Sequence, residues 1–103
     1  MIGSFPDKQP YEEFFVSFNF YRLLARTKDS IATVSELKAY DAGGVDQTTS
    51  FINAGAQVIA SPRVFAWVKG GTQQRYRLVC KITTAGVKKW QMVAYLRVVE
   101  SLT

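Results

Sequence analysis

Two runs of alternating apolar and polar residues lie side by side near the C-terminal end of the chain. Tyr76, Leu78, Cys80 and Ile82 share one parity; Arg75, Arg77, Lys81 and Thr83 share the other, with Val79 as the apolar exception. After Thr84-Ala85-Gly86, a second run sets Trp90, Met92, Ala94, Leu96 and Val98 on one side. Period-two alternation describes strands with one face in a core and the other in water. Arg75 to Val99 therefore reads as a long β-hairpin. A three-residue loop of Thr84, Ala85 and Gly86, with Gly86 left-handed, sets Cys80 against Trp90, Leu78 against Met92 and Tyr76 against Ala94. A two-residue loop would set Cys80 against Gln91 and reverse the faces. The three-residue register also opposes Lys81 and Lys89, a mildly unfavourable pair.

The same reading runs back along the chain. Phe14 to Phe20 alternates as a strand, with Phe14, Val16, Phe18 and Phe20 toward the core. Tyr21 to Arg26 is long enough for one helical turn, with Asn19 as its cap and Leu23 or Leu24 as a plug. Ile31 to Tyr40 is a strand whose parity is unclean, and a bulge near Ser35 would aim Ile31 and Val34 better. Strands are also expected at 48–52 and 56–60, with a turn at Asn53-Ala54-Gly55 between them. Arg63 to Lys69 has both parities apolar: Val64, Ala66 and Val68 on one, Phe65 and Trp67 on the other. It is either a central strand or one that leaves an aromatic pair on the surface. The expectation is an all-β, single immunoglobulin-like β-sandwich of about seven strands, with one short helical turn near residues 20–26. Residues 1–13, broken by Pro6 and Pro10, read as a flexible N-terminal arm that could reach a neighbour, and residues 14–103 as the sandwich domain.

At 103 residues and 48% hydrophobic, the chain suits one domain with a core that needs no staples. Its one cysteine, Cys80, rules out an internal disulfide and sits on the apolar parity as a small hydrophobe. No apolar run approaches the ~18 residues of a membrane-spanning helix. The start, MIGSFPDKQP, lacks the basic and apolar regions of a signal peptide, which points to assembly inside a cell. The net charge of +5 is unevenly spread: residues 1–62 carry five basic and seven acidic side chains, residues 63–103 eight basic and one acidic. Such asymmetry admits an acidic protein partner or nucleic acid.

Enzyme chemistry finds little to work with. The absence of histidine removes the commonest acid–base catalyst and zinc ligand. Asp41-Ala42-Gly43-Gly44-Val45-Asp46 lacks the ligand spacing of a calcium loop and reads as a turn. No phosphate-cradling glycine motif is present. No cofactor, metal or catalytic residue is therefore expected. The candidate contact residues are Arg75, Arg77, Lys81, Lys89, Tyr95 and Arg97 on the outer face of the hairpin, together with Trp67. Three readings of that outer face stand open: a solvated surface, a contact for an acidic protein, or a seat for a phosphate backbone with a base stacked on Tyr95. A carbohydrate surface using Trp67 and Tyr95 is a further alternative.

Several of these segments carry a resemblance. Asn19-Phe20 to Leu23-Leu24, then Asp29-Ser30-Ile31, Ala66-Trp67-Val68-Lys69-Gly70-Gly71, the run Tyr76 to Gly86 and Leu96-Arg97-Val98 resemble the pattern of small immunoglobulin-like proteins from phage and prophage structural-gene regions. The chain departs from that pattern at Asn19, in the 31–40 strand, through the middle, and at Lys28, where glycine is common. The resemblance implies a non-enzymatic virion structural or assembly protein, at the head–tail junction or tail, acting by contacts with itself or other virion proteins. It implies the host cytoplasm during assembly and then the virion. It carries over no functional residues.

Overall fold

The computed structural model describes residues 2–100; Met1 and residues 101–103, counted above within the arm and the sandwich, lie outside the described residues. The strands are β1 (Ile2–Ser4), β2 (Phe14–Asn19), β3 (Ile31–Tyr40), β4 (Ile52–Ala60), β5 (Arg63–Val68), β6 (Gln74–Thr84) and β7 (Lys89–Val98). Two short helices, α1 (Tyr21–Thr27) and α2 (Thr48–Phe51), interrupt them. A four-stranded sheet has the order β1-β7-β6-β3 and a three-stranded sheet the order β2-β5-β4. All pairings are antiparallel except β1 with β7.

Alternation decides the faces. Val64, Ala66 and Val68 of β5, the central strand of the small sheet, are fully buried, as are Phe18 of β2, Leu78 and Cys80 of β6, and Leu96 and Val98 of β7. The two sheets share one apolar core built from these inward positions. Burial pushes the Cys80 thiol up to about 12, so it packs as a hydrophobe with no thiolate to offer. Leu24 of α1 plugs the core and Leu23 packs partly against it. Asn19 Oδ1 accepts the Tyr21 N–H at 3.0 Å, one position earlier than a side-chain cap would use, and Phe20 occupies the N-cap.

Three expectations need correction. The hairpin is shifted by two residues: Cys80 faces Met92, Leu78 faces Ala94, and Lys81 faces Gln91 instead of Lys89. The three loop residues are Ala85, Gly86 and Val87, closed by the Thr84 N–H donating to the Lys88 carbonyl at 2.8 Å. Val87, not Gly86, has the left-handed conformation, φ 63°. A shift of two preserves parity, so the faces survive while the neighbours change. Second, residues 48–51 are helical: the Phe51 N–H bonds the Gln47 carbonyl and Phe51 turns inward to stack on Tyr76 at 4.1 Å. Third, the turn expected at 53–55 is a wide bulge inside one strand, since Asn53 pairs with Trp67 and the next pair is Val58 with Phe65. Asn53 Oδ1 holds the bulge by accepting the Gly55 N–H at 3.1 Å. In β3 the expected bulge is present, with register shifts at Ile31/Thr33 and Val34/Glu36.

Residues 2–8 lie along β7. The Phe5 N–H donates to the Tyr95 carbonyl, the Lys8 N–H to the Arg97 carbonyl and the Val99 N–H to the Lys8 carbonyl. The Phe5 ring meets Phe18 edge-on at 5.3 Å, bringing the arm against the small sheet. Lys8 is fully buried, and its ammonium donates to the carbonyls of Gln9, Pro10 and Gly70.

Candidate functional site

The outer face of the four-stranded sheet follows from the register. Tyr40, Lys38 and Glu36 of β3 lie beside Arg77, Val79 and Lys81 of β6, which lie beside Tyr95, Val93 and Gln91 of β7. Val79 and Val93 form an apolar waist in the middle, and Val79 is buried there. The basic candidates separate to either side of it.

At one end, Arg75 lies over the Tyr95 ring at 4.4 Å and Arg77 over the Tyr40 ring at 4.8 Å. Stacking of this kind favours the cation and leaves its in-plane donors free. These two arginines and Tyr95 line a cleft of about 290 Å³ with Asp41, Ala42 and Gly44 from the β3–α2 loop. That loop is fixed by its own aspartates. Asp41 accepts the Gly43 and Val45 N–H groups and the Gln47 amide, and Asp46 accepts the Thr48 N–H and hydroxyl. These bonds, that from Val45 first for Asp41 and that from the Thr48 hydroxyl first for Asp46, hold both carboxyls below the usual aspartate range.

At the other end, Lys81 pairs with Glu36 at 3.3 Å, and Lys38 approaches the same carboxylate at 4.0 Å. Lys81 and Lys89 line a second cleft, of about 390 Å³, with Trp90 and Ser35. Arg97 turns away to Asp7 of the arm, 2.5 Å distant, a bond that raises its pKa further. The sequence thus places six candidates on one face, and the fold divides them. Arg75, Arg77 and Tyr95 share a cleft; Lys81 and Lys89 share another; Arg97 is tied to the arm.

Trp67 lies on the other sheet, so no single surface can use it with Tyr95. Its ring meets Phe15 edge-on at 4.9 Å, and Phe15 in turn meets Phe65 at 6.2 Å. The Trp67 N–H donates to Glu13 Oε1 at 3.0 Å. Both Phe65 and Trp67 are half-buried on the outer face of the small sheet, while Phe15 is 46% exposed. Val58, paired with Phe65, extends this apolar surface. Tyr11, 95% exposed, projects from the acidic stretch beside it. Sequence reasoning left Phe15 and Tyr40 out. The apolar odd parity of β2 and β5 was the available signal for Phe15, whereas Tyr40 depends on the bulged register of β3.

A family model described as Podophage GP4 fiber-tail adaptor protein gp77 matches residues 8–96. The chain belongs to this family. No curated protein matches it. The match spans all of β2 through β6 and most of β7, so it includes both outer faces. The protein is a phage structural protein of the fiber–tail adaptor family, in agreement with the structural-gene resemblance of its motifs. Among the described residues, no helix is long and apolar enough to cross a membrane, and no cluster of carboxylates and cysteine could hold a metal ion.

Proposed function

We propose that the chain is an adaptor module of a phage tail, joining copies of itself or other virion proteins through its two outer sheet faces. The observation that carries this reading is the chemical contrast between those faces. One presents Phe15, Phe65 and Trp67 beside Glu12 and Glu13; the other presents Arg75, Arg77 and two tyrosines. Half-exposed aromatic clusters and stacked arginines are the residue types that concentrate binding energy at protein interfaces. Two sheets around one core, antiparallel in every pairing but that of β1 with β7, support an immunoglobulin-like description of the module. Assembly would place it in the host cytoplasm first and in the virion afterwards.

A nucleic-acid role fits this surface less well. Glu36 and Asp7 take up Lys81 and Arg97, so a phosphate backbone crossing the face would meet carboxylates at both ends. The test is the composition of purified virions together with the Phe15→Ser variant, which changes an exposed position on an edge strand. The chain is expected in particles, and the variant is expected to be folded but depleted from them. A chain absent from virions, or one that binds duplex DNA with a steep salt dependence, would refute the adaptor reading.

A further inference from the structure

We infer that the cleft between the Asp41–Gly44 loop and strands β6 and β7 is the seat for an aspartate or glutamate side chain of a partner protein, received by Arg75 and Arg77. This deepens the adaptor reading and rests on it. Among the described residues, neither guanidinium has an ion-pair or hydrogen-bond partner, although Asp41 lines the same cleft. Asp41 is held elsewhere: its two oxygens accept the Gly43 and Val45 N–H groups and the Gln47 amide. Those bonds keep the carboxylate from closing onto the arginines, so the cations stay available next to a fixed negative wall.

The two cations are also oriented. Tyr95 lies under Arg75 and Tyr40 under Arg77, and both rings are half-buried in the sheet. A guanidinium resting on a ring can present its edge, with several N–H donors in one plane, to an incoming group. A carboxylate matches that edge with two parallel hydrogen bonds and a single negative charge. A chain of phosphates matches it less well, because the charged Asp41 lies within the cleft and Glu36 lies further along the face. The chemistry favours one acidic side chain set between two arginines over a polyanion laid across the sheet. The flanking Val93, half-exposed beside the buried Val79, offers apolar contact to the rest of such a segment.

The experiment uses the full chain, labelled for amide NMR, and a C-terminally amidated peptide containing a Glu-Glu pair within apolar residues. Its Gln-Gln counterpart, a short DNA duplex and inorganic phosphate serve as competing probes. The acidic peptide is expected to shift the amides of Ala42, Gly44, Arg75, Arg77 and Tyr95 first. It should bind about tenfold more tightly than the Gln-Gln peptide. An R75Q/R77Q double variant, altered only at exposed positions, should lose about that same factor, whereas K81Q/K89Q should change it less than about twofold. R75K/R77K should recover only part of the affinity, since lysine keeps the charge without the planar fork. Equal binding of both peptides, shifts centred on Lys81 and Lys89, or stronger binding of DNA or phosphate at Arg75 and Arg77 would overturn the inference. These outcomes are independent of whether the chain occurs in purified virions, which decides the adaptor reading.

Discussion

The composition of the arginine cleft depends on hairpin register, and register depends on which residue of the tip is left-handed. Val87 has φ 63° and is 78% exposed, while Gly86 has no such conformation. For a side chain with Cβ, a left-handed backbone costs roughly 1–2 kcal/mol, and branching at Cβ raises the cost. Replacing Val87 by glycine removes that strain, loses little burial, and adds about 0.5–1 kcal/mol of unfolded-chain entropy to overcome. Val87→Gly should therefore stabilise the protein by about 0.5–1 kcal/mol. Gly86 serves a different purpose. Its N–H donates to Asp29 at 3.0 and 3.3 Å, and a Cβ built there would lie 2.8 Å from Asp29 Oδ2. Gly86→Ala should push the carboxylate off, lose both contacts and lower stability.

Urea unfolding followed by circular dichroism measures both changes, each expected to move the midpoint by a few tenths of a molar or more. The sign of the Val87 effect is decisive. In the register with Gly86 left-handed, Val87 would begin a strand, and glycine there would destabilise by roughly 0.5–1 kcal/mol. A lowered midpoint for Val87→Gly would therefore refute the observed register and, with it, the pairing of Arg77 with Tyr95. A coupling check is available: in an Asp29→Ala background, Gly86→Ala should lose most of its cost.

Lys28 ends α1 at φ 50° with its N–H on the Leu24 carbonyl, so Lys28→Gly should raise stability by about 0.5–1 kcal/mol in the same unfolding assay. Lys8→Met keeps the buried stem but leaves the Gln9, Pro10 and Gly70 carbonyls without their ammonium donor. It should cost about 1–3 kcal/mol and speed hydrogen exchange at Phe5, Lys8 and Val99. Asp29 is held below its ordinary 3.8, first by the Thr84 hydroxyl and then by the Ser30 N–H. Its folded pKa is the lower one, so its contribution is present above 3.8 and disappears as pH falls through the folded value. Acid titration of stability should accordingly be shallower in Asp29→Asn than in the wild type across that window.

Faces were legible in the sequence because they depend only on parity. Apart from Val79, buried on the outer face, the buried positions of β5, β6 and β7 are the ones that period-two counting marks, and Phe14 to Asn19 forms as read. Neighbours were less legible, because they depend on tip geometry. Glycine at 86 looked like the left-handed residue on propensity, but its missing Cβ makes room for Asp29, from 57 positions earlier in the chain. At Lys28 the resemblance held a clue. The pattern that the chain resembles has glycine there, and the left-handed end of α1 is a physical reason for it. Residues 48–51 misled for a tertiary reason: Phe51 is drawn inward to stack on Tyr76, and the backbone shortens into a helical turn to deliver it.

The candidate site shows the same division between inventory and pairing. Counting charges placed eight basic groups in the last 41 residues, and alternation put six candidate contact residues on one outer face. What those groups can do depends on which acids come near them, and three bulged or displaced segments decide that. The bulges in β3 bring Glu36 opposite Lys81 and Tyr40 opposite Arg77. The arm along β7 brings Asp7 to Arg97. The β3–α2 loop brings Asp41 beside Arg75 and Arg77 but occupies its oxygens with backbone N–H groups. Lys81 and Arg97 are thereby answered within the chain, while among the described residues the two arginines stacked on tyrosine are not. A surface that looked uniformly basic in sequence is, among the described residues, a sheet whose two stacked arginines share a cleft without an ion-pair partner, and an acidic side chain from outside is the simplest group that would complete it.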